Sequence, residues 1–476
     1  MITAARAPDS ENDAETAHSS RAVVAVVIAG VTVVAAAIRI VPTWAQGRLG
    51  SGFWYDEAVY FVGAQQLWSG NVPYRDFVFV HPPGILVTLG PFSALAHVIG
   101  DSAAMMLAKI TFMLIGAACA GLVAYLLYDY GSVPAVAGGL FYAVFSSAIW
   151  AETSVLMQPL LNLGVLCALM LVRRGRLGWA GVLLGLALTV KLWALIPLVV
   201  IAGWSVIRNG RRPALRLIAG ASVAVTAVTA PFLIAAPRQM IDNIITFQLG
   251  RPRTSTGVAE RIFYFSGSVL AYDRVPPVAW LALGGTAVAI AALPLVIALR
   301  PDRATTRTEP ALWSALFLSQ FATILLAPSF FDNYTAFAVP ALALLVGYGI
   351  AQLHGRSTSG RRRTLAALGV LTIAFLAAMS VSNSSQREPT PKVTSALTGY
   401  RCVWAFEPHT MLEANRSGIQ AARRCPGFLD RYAVAVAELK VPDEQLTTAL
   451  ASAVGYQASV REHFGAATRY SSTRPN

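Results

Sequence analysis

Charged side chains are scarce in this chain. They make up 13% of its 476 residues, whereas a soluble domain carries about 25%, and a large soluble core does not account for so wide a gap. With 55% hydrophobic residues and a mean hydropathy of +0.57, the composition indicates repeated membrane spans, each needing about 20 mostly apolar residues. Acidic residues are scarcer than basic ones, 24 against 37, which leaves a net charge of +13. A nucleic-acid-binding protein gathers such an excess into a patch or stripe. Here the blocks RRGR (173–176), RNGRR (208–212), RPDR (300–303) and GRRR (360–363) each lie between apolar runs, as cytoplasmic membrane loops do. Nucleic acid is therefore excluded as a partner.

Cysteine is rare as well, with four residues in all. Cys119 and Cys167 fall inside apolar runs and read as small buried hydrophobes. Cys402 and Cys425 have neither the spacing nor the nearby histidine of a zinc site; outside the cytoplasm the pair can form a disulfide. No repeat of fixed period occurs, and the N-terminus lacks the short apolar core and small-residue cleavage site of a signal peptide.

Apolar segments dominate what remains. The polar residues 1–21 are expected to be a disordered cytoplasmic tail, and Ala22 to about Val41 a signal-anchor helix. Ten further segments follow at about 103–128, 133–150, 155–172, 177–191, 192–207, 214–235, 278–299, 311–327, 335–353 and 364–382. The expectation is an all-α polytopic membrane protein with about 11 spans, its membrane domain covering 22–382. Alternating sides from a cytoplasmic N-terminus puts every Arg-rich block inside. Segments 42–102 and 236–277 then lie outside, with a small extracytoplasmic domain over 383–476. Segment 85–100 is too short to span and carries Pro91 and His97, so it suits a helix lying at the interface.

The outer side collects the chemistry. Residues 53–84 read FWYDEAVYFVGAQQLWSGNVPYRDFVFVHPPG, a dense set of polar groups beside a span, where charge is costly unless it faces water, a partner or a substrate. Asp56 and Glu57 open a helix over 53–69, where adjacent side chains point about 100° apart, so only one can face a site squarely. Either they favour the helix N-terminus, or one is a general base that its neighbour supports or joins in binding metal. Tyr60 shares the face of Asp56, with Tyr55 just before it. Arg75, Asp76 and His81 are candidate substrate-binding groups, alternatively solvated loop charge and a turn histidine. Lys191, between apolar flanks, either snorkels or pairs with an anion. Arg238, Arg251, Arg253, Arg261 and Arg274 break the positive-inside trend on an outer loop, and arginine suits phosphate through its planar fork of donors. Glu152 and the FDNY run at 331–334, with Tyr334, mark outer helix ends.

The run WYDEAVYFVGAQQLWSGNVPYRDFVFVHPPG resembles the first outer loop of the GT-C membrane glycosyltransferases, in the branch of protein O-mannosyltransferases and the lipid A aminoarabinose transferase. AET at 151–153, the Gly-Leu-Ala…Lys of 185–191 and NYTAFAVPALALL at 333–345 are similar too, and the likeness covers roughly 22–353. It implies transfer of a sugar from a polyprenyl-phosphate donor to an acceptor on the outer face of the membrane, with Asp56 as the base that deprotonates the acceptor hydroxyl. Lys191 and the loop arginines Arg251, Arg253 and Arg261 would meet the departing phosphate. A lipid phosphate is already a fair leaving group, so no cofactor is required, although a divalent metal is compatible. One departure stands out: relatives carry an acid where this chain has Gln158-Pro159, leaving Glu152 as the nearby acid.

The Ala-, Val- and Arg-rich composition suits a bacterial cell membrane, and the resemblance implies a sugar such as mannose or arabinose with a polysaccharide, glycolipid or protein acceptor. The competing readings are a flippase for lipid-linked sugars and a non-catalytic scaffold. A transporter places polar groups near the bilayer midplane and shows repeated halves, and this sequence shows neither.

Overall fold

The computed structural model describes residues 10–264 and 309–355 and, from the C-terminal segment, 402, 408–423, 425, 430, 433 and 436. Among these the architecture is helical throughout. The first helix, α1, runs over Ser10–Ala45, so residues 10–21, expected to be a disordered tail, extend it. α2 covers Tyr55–Trp68, α3 Gly84–Ile99 and α4 Asp101–Leu127. α5 (Ser132–Val144) and α6 (Ser146–Thr153) follow, then α7 (Gln158–Arg173), α8 (Leu177–Val190), α9 (Leu195–Asn209) and α10 (Arg211–Ala235). Later helices span Glu309–Leu326 and Val339–Gly355, and the C-terminal segment adds Pro408–Glu413 and Ser417–Ala422.

Six of the described helices are long and apolar enough to cross a membrane, or seven if the bent pair α5–α6 is one span. Among the described residues fewer spans appear than the eleven expected. The segment expected over 133–150 bends by 58° at Phe145, where the backbone is extended. The segments expected over 155–172 and 177–191 form helices of 16 and 14 residues, short of a full crossing. The segments at 278–299 and 364–382 lie outside the described residues. α3, 16 residues long, forms where the interfacial helix was expected.

Packing follows small residues and buried charge. α8 and α10 approach closely: a Cβ on Gly181 would meet the Leu217 carbonyl, and one on Gly220 the Gly178 carbonyl. Small residues permit such backbone contact where lipid supplies no hydrophobic drive between helices. Arg39, fully buried in α1, donates from Nε to Glu152 of α6 at 2.5 Å and from Nη1 to the carbonyls of Ala35 and Ala143. Glu152 also accepts from the Tyr142 hydroxyl at 2.7 Å. Gly116 leaves the room this carboxylate occupies, since a Cβ there would collide with it. A charge in hydrocarbon is tolerated when paired inside a bundle, and this pair ties α1 to α6 while Tyr142 adds α5.

Two apolar clusters result. One is built on α4, α5, α7 and the helices at 309–326 and 339–355. The other lies under α2 and α3, with Phe53, Phe61, Phe79, Leu86, Phe112 and Phe337 at its centre. The C-terminal segment docks against this second cluster through polar contacts. Glu413 accepts from the Gly52 and Phe53 amides, Ser417 bonds to Gln65 and Asp101, and Asn415 accepts from the Ser102 amide. Cys402 and Cys425 are disulfide-bonded, 23 residues apart in sequence.

Candidate active site

Asp56 and Glu57 are neighbours in the first turn of α2 and face different surroundings, as helical geometry requires. Glu57 is fully buried. Its Oε1 accepts from the Trp54 amide at 2.7 Å and from Lys109 Nζ at 3.2 Å, and Oε2 accepts from the Val155 amide at 2.9 Å. It thereby satisfies an open donor at the helix start and fastens α2 to α4 and to the chain after α6. Asp56 opens onto a cavity of about 320 Å³.

That cavity is walled by Trp54, Tyr55, Tyr60, Trp150, Phe331 and Tyr334, with Gln158, Asn333, Lys191, Arg251, His81 and Asp430 as its other polar groups. A second chamber of about 170 Å³ shares His81, Lys191, Arg251 and Tyr334 with the first. It is completed mainly by apolar groups, among them Pro82, Leu192, Trp193, Ile244 and Pro328. Both cations therefore stand at the junction of the chambers, whereas Asp56 belongs to the larger one alone.

Each cation is held by its own device. Lys191 is a single extended residue between α8 and the turn that opens α9 (φ −150°, ψ 133°), which carries its ammonium against two rings. Nζ lies 4.5 Å from the Trp193 centroid and 4.1 Å from that of Tyr334. Arg251 rests over Phe331 at 5.3 Å in a loop stitched down on both sides. Gln248 donates to the Val80 carbonyl, Thr254 N–H to the Pro328 carbonyl, and Ser329 Oγ to the Pro252 carbonyl.

Electrostatics sharpen the contrast. Asp56 is exposed to the cavity, yet the protein crowded around it and the repulsion of the Asp430 carboxylate lift its carboxyl to about 6 against the pull of Arg251 and Lys191. Desolvation lowers the Lys191 ammonium to about 7, with Asp56 opposing and Arg251 assisting. His81, desolvated and facing both cations, is depressed to about 3 and is neutral at physiological pH. Its ring packs edge-on to Tyr60 and Phe79.

The remaining candidates lie elsewhere. Arg75 and Asp76 pair with each other at 2.8 Å on the surface, 50% and 32% exposed, and line neither chamber. Asp76 also accepts from the Val72 amide, closing the turn that carries Tyr74 at φ 70°. Glu152 is consumed by Arg39 and Tyr142. Arg261, 5% exposed, donates to the carbonyls of Ile324, Leu325 and Ala327, capping helix Glu309–Leu326 and steadying the loop that walls the smaller chamber. Arg253 is exposed and lines neither chamber. Arg274 lies outside the described residues. Asp430 was not anticipated, since nothing in its polar surroundings marks it. Arg39 and Lys109 do carry a signal: each is a lone cation inside an apolar run. Among the described residues, no three His, Cys, Asp or Glu side chains gather as a metal site would require.

Residues 79–328, more than half of the chain, match the profile of glycosyltransferase family 87. The protein belongs to that family. It is a GT-C glycosyltransferase. No curated protein matches this family 87 chain by sequence. Its fold is similar to that of ArnT from Cupriavidus metallidurans bound to undecaprenyl phosphate, with a TM-score of 0.50 and 16% identity over 94% of this chain and 76% of that one. An oligosaccharyltransferase from Archaeoglobus fulgidus, in complex with zinc and sulfate, aligns with a TM-score of 0.49 and 11% identity, over 82% of this chain and 61% of that one.

Proposed function

We propose that this family 87 glycosyltransferase moves a sugar, mannose or arabinose, from a polyprenyl-phosphate donor to a cell-envelope acceptor hydroxyl on the outer face of a bacterial membrane. The reading rests on one observation: Asp56 opens into a cavity whose junction with an apolar chamber is occupied by Lys191 and Arg251. The donor phosphate sits at that junction, its first prenyl units in the smaller chamber and its sugar in the larger. The undecaprenyl phosphate bound in the similarly folded ArnT supports this carrier class.

The steps follow from the groups present. Asp56 takes the proton of the acceptor hydroxyl, and the acceptor oxygen forms a bond to the anomeric carbon. The bond from that carbon to the phosphate oxygen breaks, and the polyprenyl phosphate leaves with the electron pair. Attack opposite the departing group inverts the anomeric centre. A base more basic than an ordinary aspartate suits the first step, and cations fixed where the phosphate departs suit the last. Glu57 acts through Asp56 by fixing the start of α2.

Transfer from labelled undecaprenyl-phospho-mannose and decaprenyl-phospho-arabinose by the purified chain in lipid nanodiscs tests this. Asp56→Asn should lower kcat about a hundred- to ten-thousandfold, the worth of a general base, while leaving the affinity for undecaprenyl phosphate within about twofold. Undiminished transfer by Asp56→Asn would remove Asp56 from the role of base.

A further inference from the structure

The larger chamber is polarised in a way the donor does not explain. Lys191 and Arg251 serve its junction with the smaller chamber, yet its walls also carry Asp430 from the far end of the sequence. That residue is 8% exposed, and its Oδ1 accepts from the Tyr55 hydroxyl at 3.1 Å and from the Ala433 amide at 2.9 Å. Its position relative to α2 is fixed by more than these bonds. Upstream in the same segment, Glu413 and Ser417 bind the chain just before α2 and the side chain of Gln65 within it. Asp430 is thus delivered to the site by a built contact, one residue in space from the proposed base through Tyr55.

Asn333 is the independent observation. It lines the same chamber, is 6% exposed, and its Oδ1 has no hydrogen-bond partner. A buried acceptor left unmatched costs free energy that an incoming donor recovers. Asp56, Asp430 and Asn333 therefore present acceptor oxygens to one space, which Trp54 and Trp150 flank, edge to face at 5.8 Å. Hydroxyl groups supply donors to such oxygens, and aromatic faces, negative at their centres, take the C–H side of a sugar ring. A phosphorylated acceptor has few donors to offer and, with Lys191 and Arg251 engaged by the donor phosphate, would bring like charge against two carboxylates, which is destabilising at short range.

We propose that Asp430, carried by the C-terminal segment, is an acceptor-binding and specificity-determining residue that makes the site select an uncharged carbohydrate hydroxyl over an anionic acceptor. This rests on the glycosyl-transfer reading of the same site and goes further by naming the acceptor class. The acceptor sugar occupies the space between Asp430, Asn333 and the tryptophans and presents one hydroxyl to Asp56.

Binding and transfer are measured separately on the full-length chain in nanodiscs. Tryptophan fluorescence, reporting through Trp54 and Trp150, is titrated in the presence of saturating undecaprenyl phosphate with α-mannobiose and α-arabinobiose and with the monophosphate of each. Saturable binding of a neutral disaccharide, at least about tenfold tighter than its phosphate, is expected, and Asp430→Asn should weaken it about tenfold, the worth of a hydrogen bond to a charged group. Asp430→Lys should reverse the preference toward the phosphate. Tyr55→Phe leaves the segment in place while releasing Asp430 from its hydroxyl, and should weaken neutral binding about threefold. In transfer, Asp430→Asn should raise the acceptor KM with the affinity for undecaprenyl phosphate unchanged. Equal binding of neutral and phosphorylated sugars, saturable binding of none, or indifference to Asp430→Asn with undecaprenyl phosphate still bound would overturn the proposal. Active transfer with no Asp430 dependence sinks the acceptor assignment alone. Asp430-dependent sugar binding without transfer from any donor sinks the transfer reading instead.

Discussion

The Lys191 ammonium lies 4.1 Å from the centroid of the Tyr334 ring, and Trp193, itself 4.6 Å from Tyr334, completes the cage at 4.5 Å. The arrangement joins the break between α8 and α9 to the 3-10 turn Asp332–Ala338, so the cation stays where two chambers meet even when no anion is bound. Removing the charge should cost the phosphate more than removing the cage. Lys191→Met is expected to weaken undecaprenyl phosphate binding by about tenfold or more, as loss of a charged hydrogen bond does. Tyr334→Leu should weaken it about three- to tenfold, the range of a partly desolvated cation–π contact. Calorimetric titration of the two variants gives the order, and a larger effect for Tyr334→Leu would contradict this account.

Acidity of the two key groups sets a pH profile. In the proposed transfer Asp56 must be unprotonated to take a proton, and its carboxyl is lifted to about 6. Lys191 must be protonated to meet phosphate, and its ammonium is lowered to about 7. The free-enzyme profile, log kcat/KM against pH, should therefore rise through about 6 and fall above about 7. His81, depressed to about 3, contributes no limb in this range. Lys191→Arg keeps its charge at all accessible pH, so the falling limb should vanish in that variant, at reduced rate, while the rising limb stays.

How far the site could be read in the sequence depended on whether its parts were local. The stretch 53–84 holds Asp56, Tyr60 and His81 within one outer segment, and α2 forms with both acids in its first turn, over Tyr55–Trp68. Lys191 was conspicuous because its flanks are apolar. The roles of Glu57 and Glu152 were not legible, because a buried acid is defined by its partner and these partners are 52 and 113 residues away. Arg261 looked like a phosphate ligand, but a guanidinium in a loop serves equally to cap carbonyls, and only the fold brings the end of helix Glu309–Leu326 to it. Asp430 depends on a contact between the two ends of the chain, for which local pattern carries no trace. The bend in the span expected over 133–150 has a related cause: apolar length does not reveal that α5 and α6 meet at an angle at Phe145.

Arg39 and Glu152 should behave as a structural pair. Both are essentially fully buried, so removing one partner strands the other charge, at a cost of about 3–5 kcal/mol. Glu152→Gln is expected to lower thermal stability sharply, and Arg39→Met with Glu152→Leu to regain most of it, since apolar replacement of a whole buried pair is often nearly neutral. Transfer by the double variant should then approach that of the parent. Restored stability without transfer would return Glu152 to the list of substrate-contacting groups.

The surface pair Arg75–Asp76 offers the opposite case. Half of the Arg75 side chain is in water, where an ion pair contributes little. Arg75→Ala should leave transfer within about twofold of the parent, in keeping with the small worth of exposed pairs. A loss beyond tenfold, with folding intact, would show that the substrate reaches this turn.

Glu57 separates positioning from chemistry. Its two oxygens hold the Trp54 and Val155 amides and the Lys109 ammonium, and none of Glu57, Lys109 and Val155 lines the cavity that Asp56 opens onto. Glu57→Gln keeps one acceptor oxygen and loses the charge opposite Lys109, so α2 is loosened where it carries Asp56. The expected result is a kcat lowered by about ten- to a hundredfold, since small misplacement of a reacting group is costly, with undecaprenyl phosphate affinity within about twofold. The rising limb of the pH profile should remain, because Asp56 still titrates. Adding Lys109→Met should recover part of the rate by removing the stranded ammonium. A Glu57→Gln variant that loses the rising limb altogether, while Asp56→Asn retains it, would exchange the roles of the two acids.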